Sequence, residues 1–218
     1  MRVMSLLLPM LLAGAVAPAA AQAPKVEVVI GGLLTGAVQA GGVDADLIDP
    51  SGGTLTLFRT SSRITPGTGL EGQVSLRLRE RLRIEIGLGW VSADFESRVS
   101  SDLEGVPDLS VTKGAHQFAG EVALAYRFLS RGRWSAFARG GAGGFREITS
   151  DRALVDNGFA ASLGAGAQVL IRQAASGFFG RVGLRGEARL LARRGGIEFG
   201  DGGTRLSPMF VVGVVIGR

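Results

Sequence analysis

The chain has 218 residues, a formal net charge of +5 and no cysteine, which excludes disulfides and thiolate metal sites. Its basic and acidic residues are mixed along the whole sequence, and this mixing argues against nucleic-acid binding. No residue pattern indicates a cofactor, so we expect none.

The first 21 residues have the features of a secretory signal peptide. A short basic start precedes an apolar run, and Ala19, Ala20 and Ala21 form a small-residue cleavage signature. An uncleaved anchor is the alternative, but the run is short for a membrane span and two prolines interrupt it. The sequence therefore predicts a signal peptide at residues 1–21 and one mature domain at residues 22–218.

Eight later segments alternate between apolar and polar or small residues, which predicts strands rather than helices. In chain order they are residues 25–39, 69–79, 82–95, 116–129, 134–147, 158–172, 178–192 and 206–218. The connections alternate between short turns, at 80–81, 130–133 and 173–177, and longer loops, at 40–68, 96–115, 148–157 and 193–205. Short turns at one end and long loops at the other are typical of outer-membrane barrels.

The two faces of these segments differ in chemistry, because neighbouring side chains of a strand point to opposite sides. In the third predicted strand Ile86, Leu88 and Trp90 share one face, whereas Arg83 and Glu85 share the other. The last strand carries on one face the apolar residues Phe210, Val212, Val214 and Ile216. The charges thus follow one side of the predicted sheet.

The fifth predicted strand is an exception to this pattern. Placing Arg139 on the charged face leaves only small residues opposite, which are Ala136, Ala138, Gly140 and Ala142. A β-bulge near Gly143 and Gly144 would shift the phase, so the pattern leaves the phase of this strand open.

Two classes of barrel fit the alternation. With the apolar face inside, the chain would be a lipocalin-like soluble barrel; with it outside, a transmembrane barrel. The uncharged last strand and strand lengths sufficient for a tilted crossing, which takes about 9–11 residues, favour the second. So do aromatic residues near both strand ends, at Trp90, Phe118, Phe128, Trp134, Phe159, Phe178 and Phe210. We therefore predict an all-β, eight-stranded antiparallel transmembrane β-barrel with short periplasmic turns and four longer extracellular loops.

Three glycine-rich segments carry a family resemblance. They read Trp-Ser-Ala-Phe-Ala-Arg-Gly-Gly-Ala-Gly-Gly-Phe at 134–145, Phe-Ala-Ala-Ser-Leu-Gly-Ala-Gly-Ala-Gln at 159–168 and Gly-Leu-Arg-Gly-Glu-Ala-Arg-Leu at 183–190. In this order they resemble strands five to seven of the small outer-membrane β-barrel family, which includes OmpA-like transmembrane domains and opacity-type porins. The resemblance implies a Gram-negative outer membrane, contact with its lipid and lipopolysaccharide, and insertion by the barrel-assembly machinery. Arg218 departs from the family, where an aromatic end residue is expected.

His116 is the only histidine, and on the predicted phase it faces outward with Phe118. Outer-membrane lipid A deacylases resemble this chain in strand number and use a histidine, a serine two residues later and a nearby carboxylate. Here Phe118 stands at the serine position and Glu121 falls on the opposite face. A catalytic base needs its nucleophile within hydrogen-bond reach, so we expect an interfacial histidine and no enzymatic activity.

Three acidic residues in the first predicted loop, Asp44, Asp46 and Asp49, offer oxygen ligands to a divalent cation. The segment lacks the glycine and the closing glutamate of a calcium loop. We therefore interpret these residues as solvated loop charge and predict no metal site.

Charged residues on the inward faces form the main candidate site. An eight-stranded barrel is just wide enough for side chains to fill it, so charges inside must pair. The predicted interior charge network consists of Glu71, Arg77, Arg79, Arg83, Glu85, Glu121, Arg127, Arg139, Arg181, Arg185, Glu187 and Arg189. It fits a polar plug that fixes strand register, which we favour, or a narrow gated pore whose arginine excess selects anions.

These observations predict a non-enzymatic outer-membrane barrel that serves envelope integrity or surface interaction. A narrow passive pore for small solutes and a lipid A-modifying enzyme are the alternative functions.

Overall fold

The computed structural model describes residues 25–48, 53–100, 107–173, 180–199 and 203–217. They form ten strands: β1 (Val26–Thr35), β2 (Val38–Ile48), β3 (Thr54–Ile64), β4 (Gly67–Arg77), β5 (Leu82–Ser100), β6 (Leu109–Arg131), β7 (Trp134–Thr149), β8 (Val155–Gln173), β9 (Arg181–Gly195) and β10 (Arg205–Gly217). Within these described ranges, no helix is long and apolar enough to cross a membrane. The predicted signal peptide, Asp49, Phe178 and Arg218 lie outside the described residues.

Eight of the ten strands close into a ring of antiparallel pairs. Around the ring the order is β1, β10, β9, β8, β7, β6, β5 and β4, and β4 pairs with β1 again. At the seam between the first and last strands, Val28 lies opposite Ile216 and Leu34 opposite Phe210. Connections at residues 78–81 and 132–133 mark the turn end of the ring, and the opposite end is the loop end. The last strand thus pairs with the first, as a closed antiparallel barrel requires.

The predicted first loop, residues 40–68, was wrong: the described residues contain ten strands, of which eight form the ring. This stretch contains most of β2, all of β3 and the start of β4. β2 and β3 form a hairpin, and β3 pairs with β5 from Ile64 opposite Phe95 to Arg59 opposite Ser100. The predicted second loop, 96–115, is also strand up to Ser100 and again from Leu109.

These extensions form a four-stranded sheet that continues past the loop end of the ring. We call it the protruding sheet and define it as residues 41–48, 54–62, 96–100 and 109–114. Threonines alternate with apolar residues at 54–58, a pattern that favours a strand here.

The polarity of the ring is the reverse of that in a soluble protein. Large apolar side chains cover its outside, and Leu88 and Val212 are 71% and 67% exposed. Charged side chains fill its inside, where Glu85 and Arg139 are 1% and 2% exposed. The lipocalin-like alternative requires the opposite arrangement, so the structure contradicts it.

The phase of β7, which the sequence left open, is continuous along the strand. Phe137, Arg139, Phe145 and Glu147 are all buried on the inward face. The register with β6 and with β8 runs without a shift through residues 143–144. The suggested bulge there was therefore wrong, and the ring presents a face of alanine and glycine at this strand.

Inside the ring, charge and apolar packing occupy different levels. The turn-side half holds most of the charged side chains. Towards the loop end, apolar side chains pack in two clusters, which consist of Leu33, Val91, Met209 and Val211, and of Val38, Ala40, Ile64, Phe95, Ala115 and Ile197. The second cluster lies where the protruding sheet joins the ring.

Candidate functional site in the ring lumen

Seven side chains, six of them buried and Glu121 partly buried, meet at mid-height in the lumen, and we call them the central cluster. They are four carboxylates and three guanidiniums: Glu71, Glu85, Glu121, Glu187, Arg139, Arg185 and Arg189. β9 supplies three of them at alternate positions, because residues i, i+2 and i+4 of a strand line the same face. β4, β5, β6 and β7 each supply one from the facing walls.

The pairs of the central cluster have the forked geometry of strong arginine–carboxylate contacts. Arg185 donates to both oxygens of Glu85 at 2.7 and 3.0 Å. Arg189 donates to both oxygens of Glu71 at 2.6 and 2.9 Å. Each contact crosses the lumen, so the cluster ties opposite walls of the ring together.

Glu187 and Arg139 join these forks into one network. Glu187 accepts from Arg139 at 2.8 Å, from Arg185 at 2.8 Å and from Arg189. Arg139 also donates to Glu121 at 3.1 Å. Because Glu187 is shared by three guanidiniums, it holds together three positive charges that would otherwise repel each other.

Two further buried ion pairs lie above and below the central cluster. Arg83 forks onto Glu27 towards the turn end, and Arg193 pairs with Glu147 towards the loop end. Glu27, Glu147 and Arg193 were missed by the sequence analysis, although each alternates in phase with other inward residues of its strand.

Two aromatic rings on the inward face of β7 support these arginines. The guanidinium of Arg185 lies 4.1 Å from the centroid of Phe137, and that of Arg193 lies 4.4 Å from the centroid of Phe145. A cation over a ring face is attracted by the ring quadrupole. The rings therefore restrict where both guanidiniums can point.

The remaining predicted network residues lie at the turn end, away from the central cluster. The like charges of Arg77, Arg127 and Arg181 repel one another there. Arg79 does not lie in the lumen: β4 ends at Arg77, and Arg79 is exposed in the following turn. Its predicted inward position was wrong, because the strand alternation stops two residues earlier than expected.

His116 and Glu121 lie on opposite faces of β6. The imidazole stacks on Trp90 with ring centroids 6.0 Å apart and an interplanar angle of 24°. The Glu121 carboxylate points into the lumen, where it accepts hydrogen bonds from Arg139 and Ser162. The strand wall separates the two groups, so they form no acid–base pair.

Two of the three acidic residues of the predicted first loop, Asp44 and Asp46, are engaged on the protruding sheet. Asp44 pairs with Arg59 at 3.2 Å, and Asp46 accepts from the Thr56 hydroxyl at 2.8 Å. Among the described residues, no group of three or more histidines or carboxylates is arranged to hold a metal ion.

No protein-family model matches the chain, and no curated protein is significantly similar to it. Among solved structures, the chain is similar to the outer membrane protein OprG from Pseudomonas aeruginosa, with 11% sequence identity and a TM-score of 0.45. The alignment covers 89% of this chain and 96% of OprG. The outer membrane protease OmpT from Escherichia coli is similar at 7% identity and a TM-score of 0.39, covering 88% and 96%. Both likenesses are too distant to assign the chain to the family of either protein.

Proposed function

We propose that this chain is an outer-membrane β-barrel protein that is not an enzyme, and that its ion-paired lumen acts as a structural plug. The observation that carries the proposal is the reversed polarity of the ring, with apolar side chains outside and paired charges inside. The apolar outer surface of the ring is suited to contact with lipid. A monomeric soluble protein rarely exposes apolar patches larger than a few hundred Å².

Ring closure supports the same assignment. In lipid every backbone N–H and C=O must be satisfied within the protein, and a closed ring of strands does this without an edge. The ring strands have 10 residues or more, as in β1 with 10 and β8 with 19, and a tilted crossing takes about 9–11. Each strand of the ring therefore reaches across the apolar layer.

The proposed orientation places the turn end in the periplasm and the loop end, with the protruding sheet, outside the cell. A cleaved signal peptide at residues 1–21 and the barrel-assembly machinery would bring the domain 22–218 to the outer membrane. There its exterior would contact lipid and lipopolysaccharide. The protruding sheet would be exposed outside the cell, which is consistent with a role in envelope integrity or surface interaction.

The central cluster argues for a plug rather than an open pore. Its contacts connect strands on opposite walls, and every charged member is bound to at least one partner. One observation favours the narrow pore as a second candidate: the turn end carries Arg77, Arg127 and Arg181, which would attract anions. Nothing in the geometry of His116 favours the lipid A-modifying alternative.

Two measurements test the proposal. Expressed with its own leader, the protein should fractionate with outer membranes and migrate differently in detergent gels before and after boiling, because closed barrels resist unfolding. Recovery as a periplasmic protein with a single mobility would refute the membrane assignment. In planar bilayers the refolded protein should pass little current; steady anion-selective current would favour the pore instead.

A further inference from the structure

A cavity lies in the lumen on the loop side of the central cluster. Its volume is about 50 Å³, which leaves room for a few water-sized groups, because one water takes about 10–15 Å³ by the same measure. Part of this space exists because β5 carries Gly87 and Gly89 on its inward face, where an added Cβ would meet no atom closer than 3.5 Å. The ring thus leaves room where larger inward side chains would fill it.

The two sides of the cavity differ in chemistry. Its wall towards the loop end is apolar and includes Leu33, Val91, Phe145, Leu191 and Met209. Its floor is the upper surface of the central cluster and includes Glu71, Glu121, Ser162 and Arg189. A ligand that fits both sides needs an apolar part and a polar end.

The charge balance of the floor sets the sign of that polar end. The central cluster contains four carboxylates and three guanidiniums, so with all groups ionised it carries one excess negative charge. A buried net charge is costly unless a partner compensates it. A cation in the cavity would supply that partner on the loop side of the cluster, the side away from the turn-end arginines Arg77, Arg127 and Arg181.

Glu121 is the carboxylate with the loosest binding. Its side chain is 19% exposed, whereas Glu85 and Glu187 are each 1% exposed. One of its oxygens accepts a hydrogen bond from the Ser162 hydroxyl. The other lies 3.1 Å from Arg139 and 3.5 Å from Arg189, longer than the forks on Glu71 and Glu85. The excess charge is therefore least compensated by guanidiniums at Glu121, the more exposed of the two carboxylates in the cavity floor.

We propose that the cavity binds a small organic monocation, a primary alkylammonium with a short apolar chain. The ammonium group, which has three donors and no acceptor, would donate to Glu121, and the alkyl chain would pack on Leu33, Val91 and Met209. An anion is disfavoured, because the guanidinium of Arg189 is already bound to Glu71 and Glu187. A second, smaller cavity shares Val91 and Gln117 with the first and lies towards the loop end.

The test uses the full mature chain refolded in non-ionic detergent, with heat-modifiable mobility as the check of folding. n-Butylammonium, n-butanol and butyrate share one alkyl chain and differ in charge, and their binding is measured by titration calorimetry against micelle blanks. We expect n-butylammonium to bind saturably and the other two at least about tenfold more weakly, because hydrogen bonds to a charged partner are among the strongest.

Three variants separate the site from general partitioning. Glu121→Gln removes the excess charge but leaves Arg139 and Arg189 bound to Glu187, and it should weaken n-butylammonium binding at least about tenfold. Glu80→Gln, in an exposed turn, is the matched control and should change nothing. Ala119→Leu fills the cavity while keeping Glu121 and should abolish binding.

Three results would overturn the proposal in protein that passes the folding check. They are equal affinity for n-butanol and n-butylammonium, undiminished binding by Glu121→Gln, and the absence of saturable n-butylammonium binding to the unaltered chain. The first would show an apolar cavity without charge selection, and the last would show that Glu121 is satisfied within the protein. None of these results depends on where the barrel is located in the cell.

Discussion

Arginine and carboxylate pair in two regions of this molecule under opposite conditions. In the lumen, the partners of the central cluster are almost fully buried, as with Arg185 at 4% and Glu85 at 1%. On and next to the protruding sheet, pairs such as Arg63 with Glu96 and Arg98 with Asp108 lie in the open, with the arginines 57% and 63% exposed. The contacts look alike, but water compensates a broken pair only on the protruding sheet.

The difference shows which part of the molecule its charges hold together. An exposed pair contributes about 0–1 kcal/mol, whereas removing one partner of a buried pair costs about 3–5 kcal/mol because the other charge is left uncompensated. The ring should therefore be sensitive to changes that the protruding sheet tolerates. Four experiments test this contrast.

The largest contrast comes from deleting strands. Truncation after Ser207 removes most of β10 and leaves β1 and β9 with open edges, which lipid cannot satisfy. We expect degradation or aggregation and no heat-modifiable band. Replacing residues 42–61 of the β2–β3 hairpin by an Asn-Gly turn should leave the heat-modifiable ring intact. A truncated chain that still folded into membranes would refute the closed ring.

Neutralising single charged residues should show the same contrast between the two regions, with smaller effects on stability. Glu187→Gln removes the anion shared by three guanidiniums and should lower the free energy of unfolding by about 3–5 kcal/mol. Glu96→Gln breaks an exposed pair and should cost no more than about 1 kcal/mol. Denaturant unfolding in lipid vesicles measures both. Equal costs would mean that the central cluster is hydrated and does not hold the ring.

Two apolar side chains with nearly equal exposure test what surrounds each region. Leu124 on the ring is 51% exposed, and Val43 on the protruding sheet is 53% exposed. If the ring lies in lipid, Leu124→Arg should cost about 2–4 kcal/mol, whereas Val43→Arg in water should change stability by no more than about 0.5 kcal/mol. Similar changes in the free energy of unfolding for the two substitutions would mean that both residues have the same surroundings, either lipid or water.

The smallest effect concerns Asp151, beyond the end of β7. Hydrogen bonds from Lys113, from the Thr149 hydroxyl at 2.8 Å and from the Ala153 N–H at 3.1 Å hold the pKa of the Asp151 carboxyl well below its usual 3.8. A depressed folded-state pKa adds stability above the unfolded pKa, and this stability is lost as pH falls through the folded value. Lys113→Ala should raise the pKa of Asp151, as followed by carboxyl NMR titration; an unchanged pKa would show that the other two donors suffice.

Strand alternation predicted the ring well where one face was bulky and apolar and the other charged. In β5 and β10 the inward and outward residues follow the predicted phase. In β7 the outward residues are alanine and glycine, so the pattern had no strong apolar face to identify. β2 and β3 were missed because the sequence analysis assigned long connections to loops, although residues 54–58 alternate like a strand.

The sequence could not predict which charged side chains in the lumen pair with each other, and the reason is geometric. Arg189 and Glu71 are 118 residues apart, and Arg185 and Glu85 are 100 apart. Which charges meet depends on the stagger at which the ring closes, and no local pattern encodes that stagger. The signal peptide, the outer-membrane location and the absence of enzymatic activity remain predictions.

The seam between β1 and β10 has a consequence for how the chain reaches its folded state. The two strands come from opposite ends of the described sequence, so this contact has close to the largest sequence separation that the chain allows. Pairings between distant segments form slowly, because loop-closure entropy is lost before the contact stabilises anything. Until β10 arrives, β1 has an unpaired apolar edge of the kind that invites aggregation. The interval before seam closure is thus when this protein is most prone to aggregate.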